Sequence, residues 1–121
     1  MADSVPADVL HIAPAGRWRA ARRHLNGNYT DPSLEVEGFI HCSTIEQVLI
    51  PANERFAGRS DLVLLVVDLG LVPSRTVFED CYESGQAFPH IYGPIPVAAV
   101  SNVVPFPCSD DGTFSLPETL Q

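Results

Sequence analysis

A chain of 121 residues, 45% hydrophobic and 18% charged, has enough apolar material for one packed core and the composition of a globular protein, not a disordered or fibrous one. Its formal charge is −8, with all seven basic residues being Arg at or before Arg75. The six acids and no base from Thr76 onward repel phosphate backbones and anionic lipid, which weighs against general nucleic-acid or membrane binding.

Residues 1–8 are polar and expected to fray, and Val9 to Ile12, around His11, read as a short apolar strand. Pro14 suits a first helical turn, and Trp18, Ala21 and Leu25 then share the inner face of a helix stopped by Gly27. Asp31, Pro32 and Ser33 have the chemistry of a cap and first turn for a short helix carrying Leu34 and ended by Gly38. Phe39 to Cys42 follow as a strand, with Phe39, His41 and Ser43 on one face and Ile40 and Cys42 on the other. Ser43 and Thr44, with Glu46 and Gln47 three residues on, offer two overlapping capping boxes. The helix they predict has Ile45, Val48, Leu49, Ala52 and Phe56 in its stripe and a kink or split at Pro51.

Leu62 to Val67 is too short and too β-branched for a helix and reads as the buried central strand of the sheet. Thr76 to Phe78, ending in Glu79, is a further strand, and Asp80 to Ala87 a polar loop. FPHIYGPIP, Phe88 to Pro96, is expected to be rigid and irregular, Val97 to Val100 one helical turn, and Asn102 to Phe106 a last strand. The domain thus runs over 9–106, with 107–121 a polar, loosely held tail. This mixture predicts an α+β fold with a mostly antiparallel sheet and two or three helices. The longest apolar run is far too short to span a bilayer. Three widely spaced cysteines and the lack of a secretory leader pattern place the expected home in a reducing cytoplasm.

The chemistry-bearing residues sit at element ends or in stiff turns: His11, His41 with Ser43, Glu79, and His90 with Tyr92. A His in an apolar strand is either an acid or base near neutral pH or a buried ring with its hydrogen bonds satisfied. Ser43 is either a helix cap or, with Thr44, a donor to an anion at a helix start. FPHIYG is either a preorganised site or a connector packing its aromatics. A zinc site on His41 and Cys42 with Cys81, Cys108 or His90 meets the difficulty that adjacent strand residues face opposite ways, so no metal is expected.

HIAP with Trp18 and Ala21, then Gly27, Tyr29, Leu34, EGFIHCS, Gln47, Phe56, DLVLLVVDL, Glu79 and FPHIYGPIP together resemble the small bacterial proteins called domain of unknown function 952 (DUF952), from about Val9 to Phe106. That family in turn is remotely similar to the ADP-ribosyltransferase fold, on its RNA 2′-phosphotransferase branch. The resemblance implies a split, mostly antiparallel sheet with a nicotinamide-nucleotide cleft between its halves. It implies catalytic roles for His41, Glu79 and His90, and ligand contacts from His11, Trp18, Tyr29, Ser43, Thr44 and Tyr92. His11 is expected at the adenosine or ribose, and His41 and Ser43 at the nicotinamide. Glu79 precedes FPHIYG where many such transferases place the acid later, and no Arg follows the His41 strand before Arg55. The leading expectation is an enzyme that uses or binds NAD or ADP-ribose, with a small nucleotide-like ligand as partner; the sequence names no protein acceptor. The alternatives are a non-catalytic domain for a small ligand or a protein partner and, more weakly, a metal-dependent hydrolase built on His11, His41 and His90.

Overall fold

The computed structural model describes residues 6–81 and 83–121, so most of the expected flexible start lies outside the described residues. Leu62 to Val67 carries six apolar side chains in a row, and a strand of that kind needs cover on both faces. It has it. Strand β4 (Leu62–Asp68) lies between β1 (Asp8–Pro14) and β8 (Val100–Pro105), antiparallel to both. Strand alternation sends Leu62, Leu64 and Val66, with Leu10 and Ile12, into one core against Val48, Ala52, Phe106 and Phe114. Leu65 and Val67, with Val9 and Ala13, enter a second core with Trp18, Tyr29, Ile40, Ile91 and Ile95. Each fully buried aliphatic side chain contributes about 1.5–3 kcal/mol, so this double-sided strand anchors the fold.

A second sheet has the order β3 (Ile40–His41), β6 (Phe88–Ile91), β5 (Thr76–Glu79), and β2 (Asn28–Tyr29) pairs with β7 (Ile95–Pro96) as a short ribbon. Every pairing is antiparallel. Three α-helices accompany them among the described residues: α1 (Ala15–Ala21), α2 (Pro32–Glu37) and α3 (Leu49–Arg55). The chain is therefore a small α+β domain with mostly antiparallel sheets.

The segment EGFIHCST ties the two larger sheets together. Ile40 and His41 pair with Ile91 and His90 of β6, and two residues later Ser43 exchanges both backbone hydrogen bonds with Leu10 of β1, at 2.7 and 2.8 Å. Ahead of it, Asp31 caps α2 by accepting from the Ser33 amide at 3.0 Å. Gly38 closes α2 in the left-handed region, at φ 91°, where a side chain is strained.

Several expectations are corrected. His11 stands in the middle of a longer β1, opposite Leu65, and not at a strand end. Helix α1 stops at Ala21, because the chain turns at His24 to Gly27 with the Gly27 amide on the His24 carbonyl, and Leu25 is 80% exposed instead of facing inward. The capping boxes do not start α3: it begins at Leu49, which puts Pro51 in the first turn where its missing N–H costs nothing. Phe88 to Ile91 is a strand at the centre of its sheet, where Pro89 still serves by accepting from the Cys42 amide at 3.0 Å. The tail is packed as well. Phe114 is buried on Phe106, ring centroids 4.7 Å apart, and its amide donates to Asn53 of α3. No helix is long and apolar enough to cross a membrane among the described residues.

Candidate functional site

A cleft of about 380 Å³ opens where the first sheet faces the second. Residues Leu10, His11 and Ile12 of β1, with His41 to Ser43, form one wall; Ile50, Pro51, Glu54 and Arg55 of α3 form another; Glu79, Cys81, Phe88 and His90 complete it. Its lining carries the carboxylates of Asp31, Glu54 and Glu79 against one guanidinium, Arg55, so its field favours positive charge.

Pairing register explains why three of these groups meet. His41 lies directly opposite His90, and Glu79 opposite Phe88, so strand alternation puts His41, His90 and Glu79 on the same face while Ile40 and Ile91 go to the core. The buried His90 donates from Nδ1 to Glu79 Oε2 at 2.9 Å, and the Tyr92 hydroxyl donates to that same oxygen. These two donors, Tyr92 first, hold the Glu79 carboxyl below its ordinary range. Reciprocally, Glu79 pushes the Tyr92 hydroxyl up. Arg75 covers the outer face of the Tyr92 ring at 4.8 Å.

Phe39 is the platform beneath this group. Its ring stacks on His90 with centroids 4.0 Å apart and planes 11° from parallel, meets His41 edge-on at 5.0 Å, and lies 5.4 Å from Tyr92. His41 donates from Nε2 to Glu37 at 2.7 Å, from the last turn of α2. Cys81 Sγ lies 3.8 Å from His90 Nδ1.

His11 belongs to a second, drier network. Its Nδ1 donates to the His41 carbonyl at 2.7 Å, which fixes the neutral tautomer, and Nε2 accepts from the Tyr29 hydroxyl at 3.0 Å. Asp31 stands 3.8 Å from Nε2 and is held by Arg17 at 3.0 Å. Burial pushes the His11 imidazole below its ordinary value, against the opposing pull of the His41 carbonyl and Asp31. Burial likewise raises the Tyr29 hydroxyl and the Cys42 thiol. For Asp31 burial acts upward, but the Ser33 amide, His11 and Arg17 outweigh it and the carboxyl is lowered.

The structure thus brings His11, His41, Ser43, Glu79 and His90 to one cleft, and Tyr92 touches it through Glu79. Four expected contact residues do not line it: Tyr92, which reaches it through Glu79, and three others. Trp18 is packed in the core beside Tyr29, Tyr29 is fully buried with its hydroxyl committed to His11, and the Thr44 amide is taken by the Gln47 side chain at 3.1 Å. Ser43 does not cap a helix, since α3 starts six residues later; its backbone joins the sheets. The trio His11, His41 and His90 cannot share an ion, because both ring nitrogens of His11 are engaged. Sequence reasoning missed Phe39, Glu37 and Arg55 as members of the site, and set Cys81 aside after weighing it as a zinc ligand beside His41 and Cys42. For Phe39 the signal was present in its alternation with His41; the other three depend on register and helix placement that no local pattern encodes.

The chain matches, over residues 12–103, the family described as Protein of unknown function (DUF952). No curated protein matches it. Among solved structures, the crystal structure of protein CC0527 from Caulobacter crescentus is 27% identical and superposes with a TM-score of 0.79 over 93% of this chain and 97% of that one. The solution NMR structure of CC0527 gives 27% identity and a TM-score of 0.77 over 94% and 97%. With residues 12–103, most of its length, inside the family match, the chain belongs to the DUF952 family.

Proposed function

We propose that the cleft binds NAD or ADP-ribose and that its chemistry lies at the bond between ribose and nicotinamide, as in enzymes of the ADP-ribosyltransferase type. The observation that carries this reading is Glu79: an ionised carboxylate, oriented by Tyr92 and His90, on the wall of a cleft that His41 and Ser43 also line. Breaking that bond leaves its electron pair on the nicotinamide nitrogen and positive charge on the ribosyl group. A fixed carboxylate stabilises that charge, while the imidazoles orient the ribose hydroxyls. The oxidised nicotinamide ring is itself a cation, matched by the acidic lining. A volume near 380 Å³ stands at the small end of ligand sites, about 300–1,000 Å³, and suits the nicotinamide riboside half of the dinucleotide. The diphosphate then runs toward Arg55 on α3.

Titration calorimetry with NAD, NADH and ADP-ribose, joined to an assay for released nicotinamide, tests this. NAD is expected to bind more tightly than NADH, which lacks the ring charge. No heat from any of the three at millimolar concentration overturns the proposal.

A second reading, a binding domain without turnover, is favoured by one feature: a single Glu79 oxygen accepts from both Tyr92 and His90, which also describes a structural carboxylate. Binding of ADP-ribose that His41→Ala weakens, with no nicotinamide released by the parent protein, decides for it.

A further inference from the structure

We propose that Glu79, Cys81 and His90 form a three-ligand site for a zinc-like divalent metal ion on the wall of the cleft. Glu79 oxygen, Cys81 Sγ and a His90 ring nitrogen all lie within 4.8 Å of one another, with the two contacts to His90 at 2.9 and 3.8 Å. Four-coordinate zinc with bonds of about 2.0–2.3 Å sets its ligand atoms roughly 3.3–3.8 Å apart, so the three side chains need shifts of only about an ångström. Thiolate, imidazole and carboxylate together suit zinc and other borderline ions over magnesium or calcium.

The local chemistry also says what the trio is not. In a Cys–His–acid catalytic relay the acid and the thiol occupy different ring nitrogens. Here both approach Nδ1 of His90. The carboxylates of Glu79, Glu37 and Asp80 neighbour the Cys81 thiol. Those same carboxylates attract a cation. The ion takes the place of the proton that His90 shares with Glu79: that proton moves to Nε2, the Cys81 thiol releases its own to solvent, and the Tyr92 hydroxyl remains behind Glu79 as an orienting donor. All three ligands line the cleft, so a fourth position faces it and is available to water or to a ligand oxygen.

Sequence spacing had argued against a metal because His41 and Cys42 face opposite ways. The residues that meet are instead the end of β5, the second position of the following loop and the third of the four residues of β6. The site shares Glu79 and His90 with the nucleotide proposal and competes with it for them. An ion there neutralises Glu79, so any chemistry at the nicotinamide bond belongs to the metal-free protein.

The test is cobalt(II) and zinc(II) titration of the metal-stripped full chain. One cobalt per chain is expected, with a near-ultraviolet band of thiolate-to-metal charge transfer that zinc abolishes. Cys81 is exposed, so Cys81→Ser is expected to fold, checked by circular dichroism, and to lose the band; Cys108→Ser is expected to keep it. Tyr92→Phe should weaken zinc about tenfold. No band in the parent protein, or a band that survives Cys81→Ser, overturns the proposal, and neither result bears on NAD binding.

Discussion

The His11 ring donates to the His41 carbonyl at 2.7 Å, and this bond crosses from the first sheet to the second. Its other nitrogen accepts from Tyr29 in the core, so one imidazole satisfies a buried hydroxyl and a part-buried carbonyl. His11→Leu, close in volume, is expected to cost about 2–5 kcal/mol, because a carbonyl and a hydroxyl each lose a partner at about 1–3 kcal/mol. Adding Tyr29→Phe removes the stranded hydroxyl, so the double variant should be more stable than the sum of the two singles. Urea unfolding of the four proteins reads the cycle, and strict additivity would sink the argument.

The same imidazole gives the fold an acid sensitivity of known sign. His11 has its pKa lowered by burial, so between the folded value and 6.5 the unfolded chain binds a proton that the folded chain does not. Stability from this group is complete above 6.5 and falls as pH drops below it, by at most about 1.4 kcal/mol per pH unit. Asp31, also lowered, adds a second loss in the same direction as pH falls through 3.8 and below. Urea midpoints measured across both windows should show the first decline vanish in His11→Leu and the second persist. A midpoint that rises on acidification from 6.5 contradicts the assignment.

Glu79 is expected to titrate at higher pH once Tyr92 loses its hydroxyl. Tyr92 is the larger of the two hydrogen-bonding influences that lower Glu79, with His90 second. In Tyr92→Phe the carboxyl should therefore move up toward its ordinary range, followed by carbon-detected NMR of the Glu79 side chain. If the cleft releases nicotinamide as proposed, the acid limb of that activity moves up with it, and Glu79→Gln abolishes it at every pH. An unmoved carboxyl titration in Tyr92→Phe removes Tyr92 from its role.

Legibility in the sequence followed the range of the forces involved. The run Leu62 to Val67 and the pair Asp31 and Gly38 around α2 were readable because apolar length, a cap oxygen and a left-handed glycine act within a few residues. The alternation that put Ile40 and Cys42 on one face and Phe39 and His41 on the other was also local. Phe88 to Ile91 hid as a strand because Pro89 argues against a central position, and only the partner's geometry shows that its carbonyl suffices. Cys81 reaches His90 through the β5–β6 register, a long-range fact that spacing rules for metal motifs do not contain. Leu25 followed the helical period yet is exposed, since the turn at His24 to Gly27 ends α1 before packing can reward it.

Phe114 carries the last expectation, and it concerns α3, which forms one wall of the cleft. The segment beyond Pro107 is polar in composition, but Phe114 is buried on Phe106 and its amide bonds Asn53 at 2.8 Å, while the Gly112 carbonyl accepts from Gly58 just past α3. Helix α3 has only seven residues and could not hold its position by backbone hydrogen bonds alone. Phe114→Ala is therefore expected to cost about 3–5 kcal/mol, the range for emptying a buried aromatic site. Amide exchange of α3 should accelerate more than that of β4, whose strands pair independently of the tail. A loss under about 0.5 kcal/mol, the scale of an ordinary surface change, would mean that the segment is an appendage and that the wall stands without it.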